Sequence, residues 1–518
     1  MLAEHQSIAA SRALELVETR GGVVLADEVG LGKSFVAAEV MRRFGGTCEL
    51  FVPAALVAQW RETLAMLSVD AQIATHDALL RDGFAPHAAK RLVVVDEAHA
   101  FRNRRTRRYA ALARRTAGAR VLLITATPVC NSLHDLESLV RLIARDDLLA
   151  DIGVPSIDVA FETRDFEAID RIVAALVIRR DRSVLPDSLR FGTLERRVIK
   201  HPVLDAPLID ALEFPLVGER DLLRRFLRRR LESSEAAFLE SLRRQLRFYE
   251  RALSAIAAGR TLPKREYRLA FAHEEDQPVF QDVLFWELFA PPGDTDPTAI
   301  REEMRKLEAL RDLARSSSCE KRSMLVELVQ NEREPMLIFT SSVATARDLA
   351  AVHRCGLVTS RDRSRDATLR AFLLGRIDIV VSTDLAAEGL NLQRAGVVVH
   401  YDIPWNPVKL DQRNGRAHRI GQTRDSVRAI YFIPDSRETG IVATIARKNR
   451  MRKRVLRPNA ITIASTTPTL RPRITKDAAC LQLRNIPPIL ARRHKAGIEL
   501  LLRELPIEEV LALAARER

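Results

Sequence analysis

The chain has 518 residues, of which 47% are hydrophobic and 29% charged, and it carries a formal net charge of +14. At about 150 residues per domain this length predicts three or four structural units, and the composition excludes extensive disorder. The positive charge is typical of proteins that bind polyanions, nucleic acid before acidic membranes, although arginine-rich genome composition is an alternative source of it.

The five cysteines lie far apart and form no C-x-x-C pair, so the sequence predicts neither a zinc ribbon nor a disulfide framework. The N-terminal stretch "MLAEHQSIAASRALELVETR" is amphipathic and contains acidic residues, unlike a signal or transit peptide. No apolar run reaches the ~18 residues that a membrane span needs. We therefore expect a cytoplasmic protein that spans no membrane. The arginine-rich composition favours a bacterial source, in which the protein would associate with the nucleoid when bound to nucleic acid.

Two stretches of the chain alternate short β-rich runs with helical patterns. The first, residues 21–145, contains "GGVVLA", "CELFVP", "RLVVVD" and "RVLLIT". The second begins near residue 335 and contains "PMLIFT", "DIVVST", "GVVVHY" and "VRAIYFI". This rhythm is typical of βαβ units, so we predict an α/β fold with two parallel-sheet lobes.

Arginine-rich, leucine-periodic stretches occupy residues 215–330 and predict a helical insertion. A basic face on these helices is either a nucleic-acid surface or ordinary solvated charge. A basic tail follows residue 445, and its last stretch, "GIELLLRELPIEEVLALAAR", has a helical pattern. The predicted boundaries are 1–190 for the first lobe, 191–325 for the linker and insertion, 326–450 for the second lobe and 451–518 for the basic C-terminal extension.

The stretch "LADEVGLGKS" predicts a phosphate site between a strand and a helix. Gly30 and Gly32 let the backbone curl, and Lys33 and Ser34 supply a cation and a hydroxyl for phosphates and Mg²⁺. The G-x-x-x-x-G-K-[ST] pattern is met only in part, because Asp27 stands at the first glycine position. A glycine-interrupted turn without a ligand is the alternative.

Two adjacent carboxylates, Asp96 and Glu97, end the apolar run "RLVVVDEAHA". The carboxyl ends of parallel strands are where open α/β sheets bind ligands. We expect Asp96 to hold Mg²⁺ and Glu97 to orient or deprotonate an attacking water. The alternative is an acidic pair that caps a helix N-terminus.

Six motifs follow one another in the chain: "LADEVGLGKS", "VVVDEAHAFRN", "LLITATPVCNS", "MLIFTSS", "STDLAAEGLNLQ" and "QRNGRAHRIGQ". Together they resemble the ordered motifs of superfamily 2 helicase-like ATPases. Among these they are most similar to the Swi/Snf type, including the bacterial branch near the RNA-polymerase recycling ATPase. The resemblance implies two RecA-like lobes that bind and hydrolyse ATP with Mg²⁺.

The resemblance also implies roles for residues of the first lobe. Gln6, in "EHQ", is the candidate reader of adenine, with an exposed polar residue as the alternative. Asp27 belongs with the loop residues as a nucleotide-binding candidate. Thr125 and Thr127 form the hydroxyl turn that the family places between the nucleotide and the nucleic acid, unless the turn is local capping.

Two further segments of the first lobe resemble nucleic-acid contacts of the family. "FVPAALVAQW" is similar to the segment along the tracking strand, although we interpret the indole of Trp60 as a core aromatic. "IATHDALL" is similar to the next strand contact.

In the second lobe, arginines recur every third residue of "DQRNGRAHRIGQ", on an expected helix. Similar family members point two of them at the γ-phosphate, so Arg416 and Arg419 are the candidate arginine fingers, with Gln412 opening the motif. The other second-lobe candidates are Asp384, Glu388, Gly389 and Asn391 in the loop that in the family contacts ribose and DNA, and Trp405 in "DIPWNP".

The resemblance implies an ATP hydrolase that translocates on double-stranded DNA and remodels what is bound there. The sequence contains no recognisable targeting module, so we expect a protein partner to select the target. Two alternatives stay open: a helicase acting on RNA or single strands, and a nucleotide-switched subunit of a larger DNA-processing or defence complex.

Overall fold

The computed structural model describes most of the chain. The described residues are 2–81, 90–129, 132–181, 184–185, 192–218, 220–260, 262–271, 296–317, 320–353, 355–359, 362, 364–384, 392–404, 407–419, 421–435, 447–448, 450–451 and 454–456, with four strands between 472 and 503.

The first lobe is a six-stranded parallel sheet in the order β3-β2-β4-β5-β1-β6. Its strands are β1 (Gly22–Leu25), β2 (Thr47–Val52), β3 (Gln72–Thr75), β4 (Arg91–Val95), β5 (Arg120–Ile124) and β6 (Val177–Ile178). Its helices are α1 (Glu4–Arg20), α2 (Lys33–Phe44), α3 (Val57–Met66), α4 (Arg107–Thr116), α5 (Leu133–Ile143), α6 (Ile157–Glu162) and α7 (Phe166–Leu176). Every residue of β1 and β4 is buried, because one set of helices covers each face of the sheet.

A helical unit follows the first strand of the second sheet. Its helices are α8 (Arg220–Ser233), α9 (Glu235–Ala257), α10 (Lys264–Phe271), α11 (Pro297–Ser316) and α12 (Glu320–Asn331). The first four share a core that includes Phe238, Tyr249 and Leu307. Leu325 and Leu328 of α12 pack instead on the second sheet.

Several arginines of the helical unit pair with nearby acids. Arg224 of α8 lies 3.0 Å from Asp221, and on the same helix Arg220 and Arg228 pair with acids of the preceding residues. On α9, Arg243 and Arg244 both pair with Glu240. These pairs favour solvated, locally neutralised charge over a continuous basic face.

The second lobe contains six parallel strands in the order β7-β12-β11-β8-β10-β9. They are β7 (Thr193–His201), β8 (Met336–Thr340), β9 (Gly356–Val358), β10 (Ile379–Thr383), β11 (Val397–His400) and β12 (Ser426–Pro434). The helices are α13 (Val343–His353), α14 (Arg365–Leu373) and α15 (Pro407–Asn414). The two parallel sheets confirm the predicted fold class.

Two segments differ from the sequence-based expectation. Residues 193–201, assigned to the linker, form β7 of the second sheet. Residues 497–503, expected to be helical, form a strand that pairs antiparallel with β7, so that prediction was wrong. The tail strands are β13 (Pro472–Ile474), β14 (Cys480–Leu483), β15 (Ile489–His494) and β16 (Gly497–Arg503), and together they extend the second sheet in antiparallel fashion. Within the described ranges, no helix has the length and apolar character that crossing a membrane requires.

Candidate active site

The loop between β1 and α2 has the backbone shape of an anion site. Gly30 and Gly32 adopt positive φ angles of 99° and 79°, which residues with a Cβ rarely adopt. Gly32 precedes α2 directly, and no side chain caps that helix. The first backbone N–H groups of α2, together with the half-buried Ser34 in its first turn, therefore face the loop as candidate anion donors.

Lys33 lies within this loop. Its Nζ donates hydrogen bonds to the carbonyl oxygens of Asp27, at 2.8 Å, and Glu28, at 3.3 Å. Burial lowers the pKa of the amine, and the negative charges of Asp27 and Glu97 oppose that change. The predicted phosphate-binding cation is thus half-buried and lies near several carboxylates.

The carboxylate of Asp27 binds Arg180, which sequence reasoning missed. The backbone N–H of Arg180 donates to Oδ1 at 2.9 Å, and its Nε lies 3.2 Å from both carboxylate oxygens. The same guanidinium donates to the carbonyl oxygen of His5. Asp27 therefore joins the phosphate loop to the chain after β6, and its predicted contact with the nucleotide remains a prediction.

Gln6 lies directly against the phosphate loop. Its Nε2 donates to the carbonyl oxygen of Leu31 at 3.4 Å, and a Cβ on Gly32 would lie only 2.3 Å from the same nitrogen. The start of α1 is therefore adjacent to the loop, as an adenine contact would require. That role stays a prediction.

Glu97 has a strained backbone at the end of β4. Its φ of 48° and ψ of 47° are left-handed, which costs a residue with a Cβ about 1–2 kcal/mol. Its N–H donates to Oδ1 of Asp96 at 2.9 Å, and its carbonyl accepts from Ala100 at 3.0 Å. These bonds hold its carboxylate in a defined direction, 3.1 Å from Nδ1 of His99.

The two adjacent carboxylates differ in their affinity for protons. Burial, and then repulsion by Glu97, raises the pKa of Asp96. Burial acts in the same direction on Glu97, but the contact with His99 and the charges of Lys33 and Arg416 outweigh it and lower the pKa of Glu97. Glu97 therefore gives up its proton more readily than Asp96 does.

Trp60 contacts the carboxylate of Asp96, which its local sequence pattern did not predict. The side chain is 1% exposed, which confirms a core aromatic, but its indole Nε1 also donates to Oδ2 of Asp96 at 2.7 Å. The partner lies 36 residues away in the chain, so only the tertiary structure brings the two together.

The three arginines of "DQRNGRAHRIGQ" fall into two groups. Helix α15 ends at Asn414, so Arg413 lies on the helix while Arg416 and Arg419 follow it, contrary to the expected continuous helix. Arg413 is 2% exposed and binds the carboxylates of Asp384 and Asp402. The regular spacing therefore does not give these arginines a common environment.

A buried cluster of polar groups surrounds Arg413. Asp402 accepts hydrogen bonds from Thr340 at 2.6 Å, from the Ser341 N–H at 2.9 Å and from Ser233 at 2.8 Å. Arg413 also donates to the carbonyl oxygen of Asp402 at 2.9 Å. The cluster joins the end of α8 to α15 and so fixes the segment that carries the candidate fingers.

Asp384 lies in the same cluster. Besides Arg413, it pairs with Lys409 at 3.2 Å. Burial would raise the pKa of this carboxyl, but the charges of Arg413 and Lys409 outweigh burial and lower it. The side chain predicted to contact the ribose is thus ionised and held by two cations, and its role in binding stays a prediction.

Asn414 is fixed by two aromatic side chains. Its Oδ1 accepts a hydrogen bond from the ring Nε2 of His400 at 2.8 Å, and its Nδ2 donates to the hydroxyl of Tyr431 at 2.9 Å. The His400 and Tyr431 rings are stacked with centroids 4.4 Å apart. Since Asn414 ends α15, these contacts set the direction in which the chain leaves the helix.

The segment after α15 meets the phosphate loop of the first lobe. A Cβ on Gly415 would lie 2.4 Å from Cγ1 of Val29, so only glycine allows this approach. Next in the chain, Arg416 is near enough for its charge to lower the pKa of Glu97 and that of Arg419, although burial is the larger cause for Arg419. Gln412 is half-buried on α15. The structure thus brings Arg416 to the first-lobe site.

The predicted nucleic-acid residues are less accessible. Thr125 and Thr127 are 1% and 2% exposed, and their hydroxyl oxygens lie 3.4 Å apart. This conformation therefore offers no surface for direct contact through them, and their coupling role stays a prediction. Glu388, Gly389, Asn391 and Trp405 lie outside the described residues.

Two family models match the chain. The model of the SNF2-related domain matches residues 59–151, and that of the helicase conserved C-terminal domain matches residues 320–421. Each match therefore falls on one of the two lobes. Most of the helical insertion lies between the two matched segments.

Similarity to known proteins extends beyond these segments. The chain is 25% identical over 464 residues to a Bacillus subtilis protein named "Uncharacterized ATP-dependent helicase YqhH", covering 81% of this chain and 73% of that protein. It is 34% identical over 113 residues to the RNA polymerase-associated protein RapA of Vibrio atlanticus, covering 20% of this chain and 12% of RapA. It is 34% identical over 115 residues to the ATP-dependent RNA helicase RhlB of Pasteurella multocida, covering 21% of this chain and 26% of RhlB.

Among solved structures, the chain is similar to the Sulfolobus solfataricus SWI2/SNF2 ATPase core in complex with double-stranded DNA. The match covers 84% of this chain and 88% of the Sulfolobus chain. The sequence identity is 18% and the TM-score 0.33.

The contact between Gly415 and Val29 supports a sharp test. We expect Gly415→Ala to lower the rate of ATP hydrolysis by about 10- to 100-fold, because the new methyl group collides with Cγ1 of Val29 and displaces Arg416. Val29→Ala removes that atom, so the double variant should recover most of the rate while Val29→Ala alone stays near wild type. A double variant as slow as Gly415→Ala would contradict the steric explanation.

Arg413 should act on stability more than on chemistry. We expect Arg413→Met to destabilise the second lobe by about 3–5 kcal/mol, because two buried carboxylates lose their shared cation. Denaturant unfolding followed by circular dichroism measures this. Arg416→Met, at a half-buried position, is the matched control and should unfold nearly as the wild type does; equal stability of both variants would contradict the assignment.

Proposed function

Because the chain belongs to the superfamily 2 helicase-like ATPases of the Swi/Snf type, we propose that it is a magnesium-dependent ATPase that moves along double-stranded DNA. The observation that carries the proposal is the close approach of Gly415, the neighbour of Arg416, to Val29 of the phosphate loop in the other lobe. Such an approach makes a site that is complete only when the lobes are together.

The residues of the first lobe fit a nucleotide with a divalent cation. The uncapped N-terminus of α2 and Lys33 would hold the phosphates, Gln6 would hold the base, and Ser34 and Asp96 would hold Mg²⁺. Two oxygen ligands on one side of a phosphate site are the donors that Mg²⁺ prefers. When bound, the ion would neutralise charge on the phosphate oxygens.

Four side chains would then carry the hydrolysis. The ionised Glu97 orients the attacking water and accepts its proton, in the direction that its left-handed backbone imposes. Lys33 exchanges its loop carbonyl acceptors for phosphate oxygens. Arg416, with Arg419 beside it, stabilises the charge that develops on the transferred group.

The positive net charge of +14 supports the nucleic-acid part of the proposal. Contacts with the phosphate backbone bind without reading sequence, as a tracking motor requires. The proposed DNA-facing residues are Thr125, Thr127, Asn391 and Trp405. We also propose a bacterial protein partner that selects the target on the nucleoid.

One observation favours a second candidate function. The segment shared with RhlB, whose name describes an RNA helicase, keeps an RNA motor as the alternative. The two candidates differ in the polymer that accelerates ATP hydrolysis.

We expect duplex DNA to stimulate steady-state ATP hydrolysis by the full chain more than single-stranded DNA or structured RNA does. Raising salt from about 50 to 200 mM should weaken this binding strongly, because counterion release dominates backbone contacts. Coupled-enzyme assays with the three polymers measure the effect. Greater stimulation by RNA would support the helicase alternative, and no stimulation by any polymer would reject the motor.

Two substitutions separate binding from chemistry. We expect Lys33→Ala to abolish turnover, and Glu97→Gln to leave ATP binding near wild type while it stops hydrolysis, because the amide keeps the shape but cannot take a proton. Binding of a fluorescent ATP analogue and phosphate release test the two parts. Wild-type turnover in either variant would show that the catalytic assignment is wrong.

A further inference from the structure

Asp96 is held by groups from three separate parts of the first lobe. The indole Nε1 of Trp60 donates to Oδ2 at 2.7 Å, and the backbone N–H of Glu97 donates to Oδ1 at 2.9 Å. The ring Nε2 of His76 lies 2.9 Å from the backbone carbonyl oxygen of Asp96. A carbonyl oxygen can only accept, so Nε2 carries the proton of the His76 ring.

Both side chains are fixed in the interior. Trp60 is 1% and His76 7% exposed, and the His76 ring meets Phe101 edge-on at a centroid distance of 4.9 Å. Each of the two side chains therefore supplies one directed N–H group to Asp96.

The two donors come from different elements and converge on one residue. Trp60 lies on α3, after β2, while His76 follows β3 at the edge of the sheet. A buried indole needs some hydrogen-bond acceptor, but a second ring nitrogen from another segment on the same residue is not needed to satisfy Trp60. Together they fix both the side chain and the backbone of Asp96.

We propose that Trp60 and His76 are positioning residues that hold the Asp96 carboxylate in the orientation a metal ion requires. The inference rests on the proposed function, in which Asp96 is a magnesium ligand. A carboxylate has about four lone-pair positions. The N–H groups of Trp60 and Glu97 occupy one position on each oxygen of Asp96, so the remaining lone pairs point away from these two donors. Loss of such an outer hydrogen bond typically lowers metal affinity by about 10–100-fold.

Trp60→Phe and His76→Leu remove one donor each, while His76→Gln keeps an amide N–H. The measurement is the Mg²⁺ concentration that gives half-maximal binding of a fluorescent, non-hydrolysable ATP analogue to the full chain without nucleic acid. We expect this concentration to rise about tenfold or more in Trp60→Phe and His76→Leu and to recover toward wild type in His76→Gln. Binding of the analogue in excess EDTA should be the same in all four proteins.

Leu64→Val is the matched control, because Leu64 lies one turn further along α3 in the same apolar core. It should lower the unfolding temperature without changing the Mg²⁺ dependence. An unchanged Mg²⁺ dependence in Trp60→Phe, or an equal change in Leu64→Val, would overturn the proposal. If Trp60→Phe does not fold, the His76 variants test the proposal instead. Equal Mg²⁺ dependence in His76→Leu and His76→Gln would then overturn it.

The same titration separates this inference from the function on which it rests. Wild-type binding that does not depend on Mg²⁺ would overturn the metal site and the positioning roles together. Mg²⁺-dependent binding that the Trp60 and His76 variants leave unaltered would overturn the positioning roles alone.

Discussion

The candidate site depends on one close contact. The segment that follows α15 in the second lobe lies against the phosphate loop of the first lobe. Gly415 lies against Val29 with no room for a Cβ, and this contact brings Arg416 near Glu97 at the end of β4. Each lobe alone holds only part of the charged groups. A hydrolytic site divided in this way would depend on the distance between the two lobes.

Buried ion pairs maintain the two halves of this contact. In the first lobe Asp27 and Arg180 join the phosphate loop to the chain after β6, and in the second Arg413 joins Asp384 to Asp402. Buried pairs of this kind contribute little net stability, but removal of one partner is costly, so they fix which segments lie together. The strained backbone of Glu97 is maintained in the same environment, by a hydrogen bond to Asp96.

Sequence patterns predicted the parts of the molecule that depend on local chemistry. The apolar runs became central strands, and the glycines of the phosphate loop have the positive φ angles that the motif implied. Strand β7, "TLERRVIKH", was missed because its charged residues hide the alternation that indicates a strand. The strand at 497–503 was mistaken for a helix because a short apolar run fits both periods. The bonds of Trp60 to Asp96 and of Arg180 to Asp27 join residues 36 and 153 positions apart, which no local pattern encodes.

Single-turnover hydrolysis by Arg416→Ala tests most directly whether Arg416 completes the hydrolytic site from the second lobe. We expect this variant to bind ATP as the wild type does but to hydrolyse it at least about 10³-fold more slowly, with or without duplex DNA, since an arginine finger acts on the transition state. A wild-type single-turnover rate in Arg416→Ala would show that Arg416 does not complete the site.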